Sequence, residues 1–373
     1  MCTTSNTVAE NLCIRAAANM LALLSLLHTA PFAIPSQTNC TNNAGVHGPC
    51  GPAFQLCGQP YVVTRPIMPR FHLVDRSCPI NDPSGPIYDP RHGIYHVFYQ
   101  DHMAIGPAGS SKFGPVWGHF ASRDLVEWRH LDVALWNDES FDATAIFTGS
   151  ATVVNGSVRL IYSAVCPRGG PDCPNPTCKN VHDCKTKNLG MAVPASPDDP
   201  WLTNWTKHQI VFGATRDPST AWPVQHHPAG TEWRLTTFGG TIYNSWDFEH
   251  WTASGVLFEA AECPSLFPLP RDISNSSGRL PTHVRKFSSS QYPWQEQKQR
   301  GDYFQVGDYV ARAPNTTGTW RPSPGFEPAF VTTLMDAGPL YASKDFRTAD
   351  GRRVIYGWIT AGGCAERSVG SVR

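Results

Sequence analysis

The chain has 373 residues, enough for one large domain or two ordinary ones whose core needs no disulfide or metal to hold it together. Its 30 basic and 30 acidic residues cancel without forming a charged run, so nothing in the charge favours a nucleic-acid partner. Charged residues make up 16% of the chain, which also has 31 glycines, 33 prolines and 12 tryptophans. This composition is typical of a turn-rich, aromatic, all-β protein.

The N-terminal segment is predicted to be a secretory leader. An apolar run extends from Ala16 to Leu27 and follows Arg15. About a dozen apolar residues are too few to span a bilayer and suit the hydrophobic region of a signal peptide. We therefore expect a leader over residues 1–33 and a Cys/Gly/Pro-rich tail over residues 34–60. A buried N-terminal helix is the alternative.

Glycosylation sequons and cysteines agree with a secretory route, which leads to an extracellular or vacuolar location. The sequons lie at Asn39, Asn155, Asn204, Asn275 and Asn315. A Cys-rich insert over residues 166–184 contains four cysteines without a C-x-x-C pair, so disulfides are favoured over a zinc site. The sequence leaves the disulfide pairing open.

From residue 61 onwards, short strand-like runs rich in β-branched and aromatic residues alternate with turns, and no amphipathic helix competes with them. The segment S-R-D-L-V-E-W (Ser122 to Trp128) is echoed by S-W-D-F-E-H-W (Ser245 to Trp251), with a looser copy from Ser196 to Trp205. A recurring strand, turn and Trp is typical of the blades of a β-propeller. A β-sandwich explains the strands equally well, and the repeat favours the propeller.

Three carboxylates stand in Pro-flanked motifs, namely Asp82 in N-D-P, Asp217 in R-D-P and Glu262 in E-C-P. The segment P-I-N-D-P-S-G (Pro79 to Gly85) has the chemistry of a turn. Taken alone, Asp217 fits a turn acid paired with Arg216, and Glu262 fits an ordinary loop residue.

Eight motifs, in this order, resemble those of glycoside hydrolase family 32, the invertases and fructan-hydrolysing β-fructosidases. The resemblance runs from about Arg65 to the C-terminus, and R-D-P-S-T-A-W is the most specific of the motifs. They are R-P-I-M-P-R-F-H-L, F-Y-Q, W-G-H-F-A-S-R-D-L-V-E-W, F-D-A-T-A-I-F-T-G-S-A, T-R-D-P-S-T-A-W, E-C-P-S-L-F-P-L, D-Y-F-Q-V-G-D-Y and L-Y-A-S-K-D-F.

The resemblance implies a five-bladed β-propeller over residues 61–373. The family's chain continues into the outer strands of the fifth blade and a C-terminal β-sandwich, whereas this sequence stops at Arg373. We therefore expect an incomplete last blade and no sandwich.

The resemblance also implies retaining hydrolysis of terminal β-D-fructofuranosyl units from sucrose or fructans. This chemistry requires two carboxyl groups about 5 to 5.5 Å apart, a nucleophile and a proton donor. By match to the family's motifs, Asp82 is the nucleophile, Glu262 the acid/base and Asp217 the stabiliser of the transition state. Asn81 is expected to help keep Asp82 ionised, and Arg216 to keep Asp217 charged.

The remaining expectations concern the substrate. Gln100 and Thr148 match positions that bind the fructosyl unit, and Phe147 stands in the apolar wall of the pocket. With Asn81 and Arg216, these complete the predicted substrate-binding set. No metal or cofactor is implied, the expected partner is a small carbohydrate, and no membrane contact is expected once the leader is removed.

The motifs depart from the family's pattern at a few positions. Pro79 stands where the family has an aromatic residue, and the stretch Gln297 to Gly301 lacks the Asp of an Asp-x-x-Lys element that helps hold the glucose of sucrose. The missing Asp slightly favours a fructan exohydrolase. Two alternatives stay open: a catalytically inactive fructan- or sucrose-binding or regulatory protein, and an arabinan- or xylan-active enzyme on the same propeller.

Overall fold

The computed structural model describes 14 segments of the chain, all within one compact unit, Asn39–Arg373. They are residues 39–41, 47–49, 72–75, 80–102, 115–166, 188–211, 215–258, 260–269, 281–289, 300–311, 313–326, 333–336, 338–359 and 371–372. The predicted leader, most of the predicted tail and residues 167–187 of the Cys-rich insert lie outside the described residues. The domain boundaries therefore stay predictions.

The described residues form antiparallel sheets of strands that follow one another in the chain. A short pair comes first, β1 (Asn39–Thr41) with β2 (His47–Pro49). Sheet 1 has the order β3-β5-β6-β7, with β4 paired to β5. Its strands are β3 (Ile80–Pro83), β4 (Ile87–Asp89), β5 (Ile94–Asp101), β6 (Val116–Ser122) and β7 (Trp128–Leu135).

Sheets 2 and 3 are four-stranded meanders. Sheet 2 contains β8 (Ala145–Val154), β9 (Ser157–Val165), β10 (Asn188–Pro194) and β11 (Trp205–Val211). Sheet 3 contains β12 (Trp222–His226), β13 (Gly230–Thr236), β14 (Thr241–Ser245) and β15 (Thr252–Val256). A 3-10 turn, Phe238–Gly240, joins β13 to β14.

Sheet 4 has five strands and sheet 5 has three among the described residues. Sheet 4 contains β16 (Glu262–Pro268), β17 (His283–Ser289), β18 (Gly301–Val310), β19 (Thr319–Pro322) and β20 (Thr333–Leu334). Sheet 5 contains β21 (Leu340–Arg347), β22 (Arg353–Ile359) and β23 (Ser371–Val372). No described segment forms a helix long and apolar enough to cross a membrane.

The core lies between successive sheets, as it does in a propeller. Trp117 of sheet 1 and Tyr162 of sheet 2 are fully buried in one shared cluster. Tyr356 of sheet 5 packs into the cluster of sheet 1, with its ring 6.0 Å from that of Trp128. The fold is thus all-β, a propeller-like ring of four sheets, and sheet 5 contacts the first of them.

The repeated Trp segments form one kind of turn, which lies between the third and fourth strands of a sheet. In the first copy, the Ser122 hydroxyl accepts the Leu125 amide at 2.9 Å, and Asp124 accepts the next two amides at 2.8 Å. The Trp128 indole donates to the Leu125 carbonyl at 3.1 Å, while Leu125 has a φ of 65°. The side-chain acceptors offset the strain of a non-glycine residue in this left-handed conformation.

The second copy repeats these contacts with Ser245, Asp247, Phe248 and Trp251. The looser copy keeps the indole bond, which Trp205 donates to the Leu202 carbonyl at 2.9 Å. The repeat read from the sequence therefore corresponds to one recurring element of structure, found in sheets 1, 2 and 3.

The prediction of a turn at N-D-P was wrong, because Ile80–Pro83 is strand β3. Ile80 pairs with Asp101 and Pro83 with Tyr99, and the register shifts between them. The Ser84 amide continues the pairing by donating to the Phe98 carbonyl at 2.8 Å. The turn-like residues Asn81 and Asp82 thus form a β-bulge within a strand, which is another setting where irregular backbone is needed. Pro79 lies outside the described residues.

Candidate active site

Irregular backbone at the start of the first strand recurs from sheet to sheet and presents the candidate side chains. The register shifts between Ile80 and Pro83 in β3, Phe147 and Gly149 in β8, Glu262 and Ser265 in β16, and Tyr341 and Lys344 in β21. Positive φ values occur there at Cys263 (48°) and Ala342 (54°), and before β12 at Asp217 (56°). Such bulges redirect side chains, and they are common beside active sites.

Asp82 is held by donors from sheets 1, 2 and 4. The Thr148 hydroxyl donates a short hydrogen bond to Asp82 Oδ2. Gln100 Nε2 lies 3.4 Å from the same oxygen and donates to Thr148 Oγ1 at 2.5 Å. The Cys263 thiol donates to Asp82 Oδ2 at 3.7 Å. Asp82, Gln100 and Thr148, which the sequence proposes as site residues, therefore contact one another.

Burial raises the pKa of Asp82 to about 7, and the charges of Asp217 and Glu262 add to the rise. The Thr148 hydrogen bond and the Lys344 ammonium act in the opposite direction. Asn81 was expected to help keep Asp82 ionised, but its Oδ1 lies 3.0 Å from His102 Nε2. Asp82 is therefore a carboxyl group that changes charge near neutral pH.

Asp217 is fixed through its backbone and through one carboxylate oxygen. Its amide donates to Ser163 Oγ at 2.7 Å, and the Cys263 amide donates to Asp217 Oδ2 at 3.3 Å. Arg216 Nε lies 3.4 Å from the same oxygen. That this cation keeps Asp217 charged stays a prediction. Because Cys263 contacts both Asp82 and Asp217 and directly follows Glu262, the three acids surround one residue.

Glu262 is the more accessible of the two acids that pair with Arg216. Its side chain is 37% exposed, and that of Asp217 is 7% exposed. Arg216 Nη2 lies 2.8 Å from Glu262 Oε1, and Tyr341 donates its phenol proton to Oε2 at 2.5 Å. Burial raises the pKa of Tyr341, so its hydroxyl keeps the proton that it donates. A cation and a phenol thus hold the carboxyl group in one orientation.

Sequence reasoning missed two residues of sheet 5, Tyr341 and Lys344. Lys344 is 1% exposed and donates to the Pro218 carbonyl at 3.0 Å, directly after Asp217. Burial lowers the pKa of Lys344, and the negative charge of Asp217 opposes that effect. Both residues lie in the motif L-Y-A-S-K-D-F, where a lysine in an otherwise buried strand was the available signal.

The remaining predicted residue, Phe147, is half-buried beside Thr148, and its carbonyl accepts the Trp117 indole at 3.2 Å. Of the stretch that lacks the family's Asp, Arg300 and Gly301 are described. The Arg300 guanidinium stacks over the rings of Tyr341 and Trp358 at 4.2 and 4.9 Å. Gln297 lies outside the described residues. None of the described residues forms a cluster of three or more metal-ligating side chains.

The arrangement combines one partly buried carboxyl group held by hydroxyl, amide and thiol donors with a more exposed one between a guanidinium and a phenol. A third carboxylate, Asp217, shares Arg216 with Glu262 and shares Cys263 with Asp82. Two carboxyl groups in such unlike surroundings suit separate roles in acid–base or nucleophilic chemistry.

Comparison with known proteins identifies the family. A model of the glycosyl hydrolases family 32 N-terminal domain matches residues 72–369. The chain is 30% identical over 321 residues to acid beta-fructofuranosidase 4, vacuolar, of Arabidopsis thaliana. The aligned region covers 78% of this chain and 43% of that protein. The chain is also 30% identical over 345 residues to the fructan 6-exohydrolase of Triticum aestivum, with 78% and 50% covered.

Solved structures show the same fold. Fructan 1-exohydrolase IIa from Cichorium intybus superposes with a TM-score of 0.59 at 25% identity, and the match covers 82% of this chain and 56% of that one. A variant of that enzyme has been solved in complex with 1-kestose, and it matches at 24% identity with a TM-score of 0.59. The chain spans about half the length of the curated relatives it matches. It belongs to glycosyl hydrolase family 32, through the N-terminal propeller domain of that family.

Proposed function

We propose that the chain is a retaining β-fructofuranosidase that releases terminal fructose from sucrose or fructans. The observation that carries the proposal is the meeting of Asp82, Asp217 and Glu262 around Cys263, although Asp82 and Cys263 are 181 residues apart in the chain. The family membership and the names of the two plant relatives support the same chemistry.

In the proposed mechanism, Asp82 attacks C2 of the fructosyl unit while Glu262 protonates the leaving oxygen. A fructosyl-enzyme forms, and Glu262 then takes a proton from the water that hydrolyses it. Thr148 and Gln100 hold the nucleophile by its Oδ2. Asp217 accepts hydrogen bonds from fructosyl hydroxyls, and its negative charge stabilises the oxocarbenium character of the transition state.

The remaining predicted contacts complete the proposal. Asn81 and Phe147 flank the fructosyl unit, and Arg216 holds both Asp217 and Glu262. Sheets 1 to 5 are the five blades of the propeller, and sheet 5 is the blade with three described strands. The predicted leader and the vacuolar name of the Arabidopsis relative support delivery through the secretory pathway.

The test measures free fructose after the full chain is incubated with sucrose and with inulin at several pH values. We expect release by the unmodified chain and a loss of at least a thousandfold in Asp82→Asn and in Glu262→Gln. Glu249→Gln is the matched control, because Glu249 is exposed in a turn of sheet 3. The fructose released first should be the β-anomer, as retention requires; α-fructose would refute the double displacement.

A second function, sugar binding without hydrolysis, is favoured by one observation. With a pKa of about 7, Asp82 carries a proton at acidic pH, and a protonated carboxyl group is no nucleophile. Sugar binding by the unmodified chain with no fructose release between pH 4 and 8 would support the binding protein over the enzyme.

A further inference from the structure

One aromatic side chain at the site is exposed and has no role in the proposed chemistry. Phe238 is 43% exposed, one of four large apolar side chains so exposed among the described residues. Its 3-10 turn joins β13 to β14 at the end of sheet 3 that carries Arg216, since the Phe238 amide donates to the Arg216 carbonyl at 2.9 Å. An exposed aromatic ring beside a polar site is a common feature of ligand-binding surfaces.

The turn that carries Phe238 is held firmly. The Gly239 amide donates to the Ala260 carbonyl at 3.0 Å, and Gly239 and Gly240 have φ values of 79° and 77°. A Cβ atom at Gly240 would lie 1.6 Å from the Phe258 carbonyl oxygen, so only glycine allows this close approach. The ring of Phe238 is therefore placed in advance of any ligand.

The ring adjoins the proposed proton donor through a single residue. The Arg216 guanidinium carbon lies 4.2 Å from the centre of the Phe238 ring, and Arg216 Nη2 lies 2.8 Å from Glu262 Oε1. Arg216 thus contacts both the exposed ring of Phe238 and the carboxyl group of Glu262. Arg216 contacts the ring, which still leaves 43% of the residue exposed.

We propose that Phe238 is the platform for the leaving sugar, the unit that is joined to the fructosyl group in sucrose or a fructan. This proposal rests on the proposed function, in which Glu262 protonates the leaving oxygen and the leaving sugar lies on the Glu262 side of the scissile bond. The apolar C–H face of a sugar ring packs against an aromatic ring, and its hydroxyls reach Arg216 at the edge. Phe238 thereby strengthens the binding of sugars that have a pyranosyl or furanosyl leaving group, and it does not strengthen the binding of free fructose.

The same sheet offers a matched control. Trp246 is 41% exposed and lies in the turn between β14 and β15. This turn is at the opposite end of sheet 3 from Phe238, because Ser245 pairs with Trp233, whereas the Phe238 end follows the pair Thr236 and Ile242. The Trp246 indole bonds to Asn315 rather than to any of the three acids. A general effect of removing an exposed aromatic ring would appear equally in Trp246→Ala.

The experiment measures dissociation constants for sucrose, 1-kestose and fructose by calorimetry. Every variant carries Asp82→Asn so that bound substrate is not turned over. We expect Phe238→Ala to weaken sucrose and 1-kestose binding by about tenfold and to change fructose binding by less than twofold. Phe238→Tyr keeps the ring and should restore the affinity. Trp246→Ala should match the parent for all three sugars.

The outcomes separate this proposal from the proposed function. Unchanged affinities for sucrose and 1-kestose in Phe238→Ala would overturn the platform. An equal loss of affinity for fructose would also overturn the platform, because removal of the ring would then act by displacing Arg216 from the acids. Absence of fructose release by the unmodified chain would end the hydrolase proposal while these affinities still decide the role of Phe238. If none of the sugars bound, the platform would be overturned, and fructose release by the unmodified chain would still decide the hydrolase proposal.

Discussion

At the scale of single residues, the charge of Asp82 is set by groups that lie in three other sheets. The donors Thr148 and Cys263 come from sheets 2 and 4, and Lys344 comes from sheet 5. Burial and the two neighbouring carboxyl groups outweigh them and raise its pKa from 3.8 to about 7. The folded protein therefore disfavours the negative charge of Asp82.

Asp82→Asn is expected to stabilise the protein at neutral pH. A carboxyl group whose folded pKa is raised contributes stability below the unfolded pKa of 3.8, and this stability is lost as the pH rises towards about 7. The full shift corresponds to about 4 kcal/mol, and partial exposure reduces this to about 1 to 3 kcal/mol. Urea unfolding should show the variant more stable by this amount at pH 8 and nearly equal at pH 3.5. A difference that does not depend on pH would contradict the assignment.

Lys344→Met is expected to move the acidic limb of the kcat/KM profile to higher pH. Lys344 lowers the pKa of Asp82, so an isosteric apolar side chain in its place leaves the carboxyl groups less compensated and raises that pKa further. We expect a shift of about 0.5 to 1 pH unit, read from fructose release between pH 4 and 8. Arg347→Met removes an exposed cation from the same strand, β21, and should leave the limb in place. Equal profiles for all three proteins would rule out an electrostatic role for Lys344.

At the scale of elements, the bulge of β21 is clamped by a buried ion pair of sheet 4. Lys286 and Asp302 are both 0% exposed, and Lys286 Nζ lies 3.3 Å from Asp302 Oδ2. The Ser343 amide donates to the same Asp302 oxygen at 2.8 Å, and Lys286 donates to Ser343 Oγ at 2.8 Å. The clamp fixes the segment from which Tyr341 reaches Glu262.

Asp302→Asn should therefore be strongly destabilising. Removing one partner of a buried ion pair leaves the Lys286 charge uncompensated, at a cost of about 3 to 5 kcal/mol. Thermal unfolding measures the cost. The double variant with Lys286→Met and Asp302→Leu removes both charges and should recover most of the stability. Its kcat should be lower than that of the unmodified chain, because Tyr341 is no longer held. Recovery of both stability and kcat would show that the pair has no part in placing Tyr341.

The elements also show how far the sequence could lead. The alternation of β-branched and aromatic residues predicts the strands, and the Trp turn predicts their repetition, because both depend on neighbouring residues. The motifs indicate Asp82, Asp217 and Glu262, but a β-bulge breaks the alternation only locally, so N-D-P resembles a turn in the sequence. Tyr341 with Glu262 and Lys344 with Pro218 are contacts across 79 and 126 residues. Such contacts arise only when the sheets pack together, so they could not be predicted.

At the scale of the whole molecule, the stability at acidic pH depends on groups that oppose one another. His96 and His119 lie on neighbouring strands of sheet 1, both 0% exposed, with His96 Nδ1 2.9 Å from His119 Nε2. Burial lowers the pKa of His96 to about 3, and it also lowers that of His119. Both rings are neutral in the folded protein near neutral pH and would have to be charged within the core in strong acid.

The two histidines act against Asp82. Each histidine takes up a proton more readily when unfolded, so its contribution to stability falls as the pH drops below about 6.5, by about 1.4 kcal/mol per unit. Asp82 stabilises by up to the same amount per unit as the pH drops from about 7 towards 3.8. Below about pH 6.5, the loss of stability from the two histidines exceeds the gain from Asp82. Between about pH 6.5 and 7, Asp82 alone makes stability fall as the pH rises, so the three groups together favour a stability maximum near pH 6.5.

His119→Gln should flatten the acidic side of this maximum. The glutamine can still bond to His96 but does not take up a proton, so only one buried histidine is left and Asp82 offsets part of its effect between about pH 4.5 and 6.5. The free energy of unfolding should then fall less steeply than in the unmodified chain, by about 1 kcal/mol per pH unit, when both are measured by urea unfolding across this range. The comparison cancels the other carboxyl groups, which titrate alike in both proteins. His208→Gln replaces an exposed histidine of sheet 2 and should keep the original slope. Parallel curves for His119→Gln and the unmodified chain would mean that the buried pair does not control acid stability.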